Sequence, residues 1–312
     1  MGFSIVPLID SLVHRTYYSA GLRPQTLAVD SETTIHCWIP NSLPVSNTSP
    51  SAKPTLLLIH GFGPRATWQW RNQIGPLSAH FDIIVPDLVF FGGSTTTSPR
   101  RSEAFQAAAL VRLLESLGLA AAGRVAVVGT SYGGFVAYHV ARLLGPDRVD
   151  RVVIANSDML KAAEDDRALL KRAGMGSIPE VLLPKDPETV RTLMKLAFYR
   201  PPRFVPSFLL RDFIQNLFSD KIEEKMELIK GTILDKKDEF ELTPLPQEVL
   251  IIWGEHDQIF PLDKAIQVKK RLGDKASLEV LEKTGHVSQV EDSNRFNQIL
   301  LSFLLGSPKS TL

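Results

Sequence analysis

An alternation constrains this chain more than any other feature. Nearly continuous apolar runs at about 55–60, 81–86, 124–130 and 150–155 are separated by helical patterns near 66–79, 102–118 and 133–144. A strand that is apolar on successive residues has no side to turn toward water, so both faces of its sheet must be covered. Strands of this kind, each followed by a helix, predict a parallel sheet with helices packed on both faces. Ligands in such sheets bind beyond the carboxyl ends of the strands. The loops that leave those ends are therefore where chemistry is expected.

One of these junctions is unusually tight. The run Arg124-Val125-Ala126-Val127-Val128 enters Gly129-Thr130-Ser131-Tyr132-Gly133, and an apolar helical stretch follows to Leu144. Gly129 and Gly133 remove the Cβ atoms that would clash in so sharp a strand-to-helix turn, which pushes the Ser131 hydroxyl out at the sheet edge. The helix that follows aims its first amides at the same point. A serine hydroxyl needs a general base oriented by a third group to act as a nucleophile. Both are available downstream after apolar runs: Val249 to Trp253 leads into Gly254-Glu255-His256-Asp257, and Ser277 to Leu281 leads into Thr284-Gly285-His286. Asp257 and His286 are the candidate acid and base. Asp257 could also cap the helix expected from Pro261. His14, His36, His80 and His139 lie in segments without a nucleophile.

The order Ser131, Asp257, His286 differs from that of chymotrypsin-like and subtilisin-like enzymes. With the Gly-Thr-Ser-Tyr-Gly turn, it resembles the α/β-hydrolase superfamily over about Leu27 to Leu305. The segment His60-Gly61-Phe62-Gly63-Pro64 resembles the family's oxyanion loop. The resemblance assigns the oxyanion to the backbone amides of Phe62 and Tyr132, with Gly63 as the alternative to Phe62, and gives His60 and Gly61 a supporting role. The segment Val85 to Ser94 resembles another family loop, with Phe90 where many members carry glycine; Asp87 is expected to brace it through backbone amides. The nucleophile position holds serine, which separates the chain from relatives that use aspartate, the epoxide hydrolases and haloalkane dehalogenases. The resemblance implies hydrolysis of a small or medium hydrophobic or aromatic carboxylic ester through an acyl-enzyme, without cofactor or metal. Carbon–carbon bond hydrolysis of ring-cleavage products, a monoacylglycerol-type lipase activity and a hydrolase-fold ligand receptor are the alternatives.

The strand pattern stops between Ser157 and Pro246, and helical periodicity replaces it. Members of the family that the chain resembles often insert a helical cap at this point, and the resemblance thus implies that residues 158–245 form a helical cap on a core made of residues 1–157 and 246–312. Phe198, Tyr199, Phe204, Phe208, Leu209, Phe213 and Leu217 give the cap an aromatic and aliphatic character, and some of them should line a pocket. Trp68 and Trp70 are core candidates that could also meet substrate. Residues 1–26 read as a helical lead-in with Leu8, Leu12 and Val13 on one face, packed on the main domain or presented to a membrane. Leu27 to Pro40 reads as a hairpin, and 41–54 as a surface loop.

A net charge of +1, from 35 basic and 34 acidic residues, gives no support to nucleic-acid binding. Cys37 stands alone, which excludes an intramolecular disulfide and a cysteine metal site. The first residues lack the basic region of a signal peptide, and no run reaches the roughly 18 apolar residues of a membrane span. A soluble, cytoplasmic chain is expected. Ser310-Thr311-Leu312 resembles the peroxisomal S-K-L address with threonine in the middle place.

Overall fold

The computed structural model describes residues 4–43, 53–119, 123–233 and 241–306. Residues 44–52 of the expected 41–54 loop and the Ser310-Thr311-Leu312 tail lie outside the described residues. The chain opens with helix α1 (Val6–Ser19) and the strands β1 (Leu22–Ala28) and β2 (Thr33–Pro40). It continues through β3 (Thr55–Ile59), α2 (Ala66–Ser78), β4 (Asp82–Pro86), the short β5 (Thr95–Thr96), α3 (Glu103–Ser116), β6 (Val125–Thr130), α4 (Tyr132–Leu144) and β7 (Arg151–Ala155). Five helices follow: α5 (Ala163–Ala173), α6 (Ile178–Leu182), α7 (Pro187–Ala197), α8 (Ser207–Leu217) and α9 (Ile222–Ile233). The sheet resumes with β8 (Glu248–Gly254), α10 (Leu262–Leu272), β9 (Ala276–Leu281), α11 (Ser288–Glu291) and α12 (Ser293–Leu305).

The strands form one sheet in the order β1-β2-β4-β3-β6-β7-β8-β9, with β5 beside β2. From β4 to β9 every pairing is parallel, whereas β1, β2 and β4 pair antiparallel. The period of two along the central strands divides their side chains between two cores. Leu57, Ile59, Val125 and Val127 face α3, α4 and α10. Leu56, Leu58, Ala126 and Val128 face α1, α2 and α12. All residues of β3 and β6 are buried, which is what a sheet covered on both sides requires.

Two details depart from the sequence reading. The strand begins at Leu22, inside the expected helical lead-in, with Pro24 in it; β1 is the sheet edge, where a missing N–H leaves no pairing unmet. Leu8, Leu12 and Val13 do not share a face. A rotation of about 100° per residue turns Val13 about 140° from Leu8. Val6, Val13 and Tyr17 are buried, while Leu8 and Leu12 are exposed.

Among the described residues no strand occurs between β7 and β8. The helices there have a small core of their own, in which Leu169, Ile178, Val181, Leu196 and Ile229 meet Ile259 and the partly buried Phe62 and Phe198. Asp186 caps α7 by accepting the amides of Glu188 and Thr189.

Candidate active site

Ser131 stands between β6 and α4 with φ 51° and ψ −123°, a backbone conformation that non-glycine residues seldom adopt. Its amide donates to Ala155 O of the neighbouring strand at 2.8 Å. The glycines on either side are required by contact. A Cβ on Gly129 would lie 2.0 Å from Gly133 O, and one on Gly133 would lie 2.3 Å from Ile59 O. The turn is sharp because α4 starts against the end of β3, and the serine absorbs the strain at its tip.

Strand ends bring the other two side chains to it. Asp257 follows β8 and His286 follows β9. His286 Nε2 lies 2.9 Å from Ser131 Oγ, and His286 Nδ1 lies 2.8 Å from Asp257 Oδ2. A carboxylate only accepts, so Nδ1 carries the proton and Nε2 is left to accept from the serine hydroxyl. Asp257 also caps the turn toward α10, since its Oδ1 accepts the amides of Ile259 and Phe260, both at 2.8 Å. The capping and orienting roles coexist on its two oxygens. Asp257 and His286 are buried, and the Phe260 ring packs edge-on against the imidazole. Among the described residues this gives a base, held by a buried acid, that can take the hydroxyl proton.

Several groups hold these side chains that the sequence did not single out. Asn156, at the end of β7, donates from Nδ2 to Asp257 Oδ2 at 2.9 Å and accepts from Ser288 Oγ at 2.6 Å. Asparagine suits its φ of 47°, because it enters the left-handed region more readily than most residues. Glu291 accepts the amides of Gly285, Tyr199 and Arg200, tying the His286 loop to the chain after α7. No spacing in the sequence marks either residue. A polar residue directly after an apolar strand was the one available signal for Asn156.

The loop after β3 lies against the nucleophile: a Cβ on Gly61 would be 2.7 Å from Ser131 Cβ. Gln69 clamps this loop, accepting from Gly61 N and donating to Gly61 O and Pro64 O. His60 is fully buried, accepts the Leu88 amide at Nε2 and meets Gly61 O through Nδ1 at 2.7 Å. These contacts demand a neutral imidazole protonated on Nδ1, and burial correspondingly lowers its pKa. The amides of Phe62, Gly63 and Tyr132 donate to no acceptor among the described residues, and all three residues line the cavity beside Ser131. Phe90 adopts φ 76°, so the family-like glycine position keeps its backbone shape with a phenyl ring, which lies under Arg101. Asp87 accepts from His36 Nδ1 and the amides of Ala66 and Gly93. Burial raises its pKa, but the His36 contacts and the Gly93 amide outweigh that and hold it below the usual value.

Ser131 and His286 open onto a cavity of about 470 Å³ with mainly apolar walls. The wall opposite the strand ends comes from α1 and from the helices between β7 and β8. Phe198, Leu209 and Phe213 line it, as expected for some of the aromatic and aliphatic residues there. Phe204 and Phe208 do not: they are 81% and 59% exposed. Leu217 is buried beside Val6 and Phe218, and Tyr199 stacks on His256. Trp68 lines the cavity, its Nε1 donating to Asp10, while Trp70 is core. None of His14, His36, His80 and His139 lines the cavity.

Residues 54–293 match the model of a family described as the alpha/beta hydrolase fold. The chain belongs to that family. A 2-hydroxy-6-oxononadienedioate/2-hydroxy-6-oxononatrienedioate hydrolase from Paraburkholderia phymatum is 29% identical over 283 residues, 83% of this chain and 89% of the relative. A candidate lipase from Acinetobacter baumannii AYE superposes with a TM-score of 0.76 at 24% identity, over 98% of this chain and 97% of the other. The 2-hydroxy-6-oxo-6-phenylhexa-2,4-dienoate hydrolase from Rhodococcus sp. strain RHA1 gives 0.69 at 22% identity, over 91% and 99%. At these identities the structural likeness attests the fold. Hydrolase is the class that the family match supports.

Proposed function

We propose that this protein is a serine hydrolase that cleaves hydrophobic or aromatic carboxylic esters through an acyl-enzyme on Ser131. One observation carries the reading: Asp257, His286 and Ser131 form an unbroken hydrogen-bonded line that ends on an apolar cavity. As Ser131 Oγ attacks the ester carbonyl, His286 Nε2 takes its proton, and Asp257 stabilises the imidazolium and keeps the ring in place. The carbonyl oxygen, now negative, is received by the Phe62 and Tyr132 amides, with Gly63 N–H nearby. Donors of this kind contribute about 3–4 kcal/mol each. His286 then protonates the leaving alkoxide as the carbon–oxygen bond breaks. Water, deprotonated by the same imidazole, hydrolyses the acyl-serine. In this reading residues 158–245 are a cap that supplies the substrate-facing wall.

A second reading is hydrolysis of a carbon–carbon bond in a ring-cleavage product, the reaction named for the Paraburkholderia and Rhodococcus relatives. Arg71 supports it: this guanidinium lines the cavity and forms no ion pair among the described residues, so an acidic substrate group would find a counter-charge there. The test is kcat/KM for purified protein on aliphatic and aryl esters of increasing acyl length, beside a 2-hydroxy-6-oxodienoate. Ester turnover should dominate and should fall about a thousandfold or more in Ser131→Ala. Faster cleavage of the dienoate would reverse the order of the two readings. Wild-type turnover by Ser131→Ala would remove the nucleophile from both, and a single slow turnover would point to a ligand receptor.

A further inference from the structure

Two helices that wall the cavity on its outer side also carry large apolar side chains on their solvent faces. Val6 and Ile9 of α1 and Leu209 and Phe213 of α8 line the cavity. On their outer sides Leu8 and Leu12 are 57% and 55% exposed, and Phe208 is exposed with Phe204 just before its helix. A helix at a protein surface normally turns charged or polar residues outward, and among those that α1 and α8 do turn outward, Ser11, Arg15, Thr16, Arg211 and Gln215, large apolar side chains are interspersed. Single exposed leucines need no explanation, whereas a group of four large apolar side chains on adjoining elements does.

The elements adjoin through Asp212. Its carboxylate accepts the amides of Ile5 and Val6 at 2.8 and 3.0 Å and the Ser4 hydroxyl. Leu8 stands one helical turn from Ser4, and Phe208 stands one turn from Asp212, so both flank this junction. The charges beside them are of one sign. Arg15, Arg203 and Arg211 are exposed and form no ion pair among the described residues. The acids on the same two segments are engaged, Asp10 by Arg65 and Trp68 Nε1, and Asp212 by α1. Exposed apolar side chains that neighbour unpaired guanidinium groups along α1 and the start of α8 complement a surface that offers hydrocarbon beneath anionic headgroups.

We propose that the α1–α8 face docks on an anionic phospholipid bilayer, and that the same helices pass lipophilic substrate from it into the cavity. The second clause rests on the ester-hydrolase reading; the docking does not. No helix among the described residues is long and apolar enough to cross a membrane, so the contact is interfacial.

Co-sedimentation of the full chain with vesicles tests it. Binding should be roughly tenfold or more tighter to mixed phosphatidylcholine–phosphatidylglycerol vesicles than to phosphatidylcholine alone. The double variant Leu8→Ser with Phe208→Ser should lose most binding to both, and Arg15→Gln with Arg203→Gln and Arg211→Gln should lose the preference for the anionic lipid. None of these five residues lines the cavity, so hydrolysis of a water-soluble short-chain ester should stay at the wild-type rate and serve as the folding control. Hydrolysis of a long-chain ester presented in the vesicles should fall with binding. Absence of wild-type binding overturns the proposal, as does binding that neither variant changes. Sedimentation equilibrium that finds a dimer, abolished by Phe208→Ser, without vesicle binding would make the face a contact between copies instead. If the wild type hydrolyses no ester at all, the ester-hydrolase reading fails while the sedimentation result still decides the docking.

Discussion

The two walls of the cavity are built from different kinds of interaction. The wall made by the strand ends is polar and closely determined: the side chains of Asp257, His286, Asn156 and Gln69 each make hydrogen bonds within it, and a Cβ on Gly129 or Gly133 would strike backbone. The wall made by α1 and the helices between β7 and β8 presents mainly apolar side chains to the cavity, and most of these meet through dispersion and burial, although Asp212 ties α8 to α1 behind them. Hydrogen bonds have directions and fail in steps when a partner is lost. Apolar contacts scale with area and tolerate exchange among side chains of similar volume. The difference teaches that the chemistry and the choice of substrate are separable. Substitutions in the first wall should change the rate for every substrate, and substitutions in the second should change which substrate is preferred.

The seam between the walls gives the largest expected effect on stability. Asp158, just after β7, is buried, and its Oδ2 lies 3.7 Å from Lys264 Nζ. Burial pushes its carboxyl up to about 6, against the pull of Lys264. A folded-state pKa above the unfolded one means that this group favours the fold below the unfolded pKa. That contribution is lost as the pH rises through about 6. A shift of this size corresponds to at most about 3 kcal/mol. Asp158→Asn should match the wild type near the unfolded carboxyl pKa, and its advantage in Tm should open with rising pH and level off above neutrality. A gap in Tm that does not change with pH would show that ionisation of Asp158 does not weaken the seam.

Asn156 tests the polar wall next. Asn156→Gly keeps the positive φ but deletes the donor to Asp257 and the acceptor for Ser288. A hydrogen bond to a charged group contributes about 1.5–3 kcal/mol, so kcat should fall about 10- to 100-fold. KM should be unchanged for short and long esters alike, because the residue orients the acid and does not line the cavity. A variant that alters KM selectively for long esters would erase the distinction between the walls.

What could be read from the sequence follows the same division. Continuous apolar strands and the glycines around Ser131 are local patterns with few physical solutions, and they predicted the sheet and the three side chains that meet at its edge. The positions of Asn156, Gln69 and Glu291 depend on pairings across 101, 8 and 6 residues, in which no periodicity takes part. The helical wall was legible as helix, because the strand pattern disappears there. Its orientation was not. Aromatic residues look alike in sequence whether they face the cavity, as Phe213 does, or solvent, as Phe204 and Phe208 do. In α1 the proximity of Leu8, Leu12 and Val13 suggested one face; the helical rotation already separates Val13 from Leu8, and the packing of Val6, Val13 and Tyr17 shows which face is buried.

Phe213 and Phe208 make the smallest expected effect the sharpest comparison. They lie five residues apart on α8, carry the same side chain, and face opposite environments. Phe213 lines the cavity and packs edge-on against Trp68 at 6.0 Å between centroids, whereas Phe208 is 59% exposed. Truncating Phe213 to alanine enlarges the cavity and removes apolar contacts from a substrate that reaches it. The loss should be about 1–1.5 kcal/mol, or roughly tenfold in kcat/KM, for long-chain or aryl esters dissolved in buffer. Acetyl esters are too short to gain much from that wall and should be cleaved at nearly the wild-type rate. Phe208→Ala should leave both unchanged in buffer, since its ring touches no part of the cavity. A small fluorophosphonate should label Ser131 equally fast in all three proteins, which reports the polar wall independently of substrate fit. If Phe213→Ala slows acetyl and long-chain esters by the same factor, the helical wall takes part in the chemistry itself, and the separation of rate from preference fails.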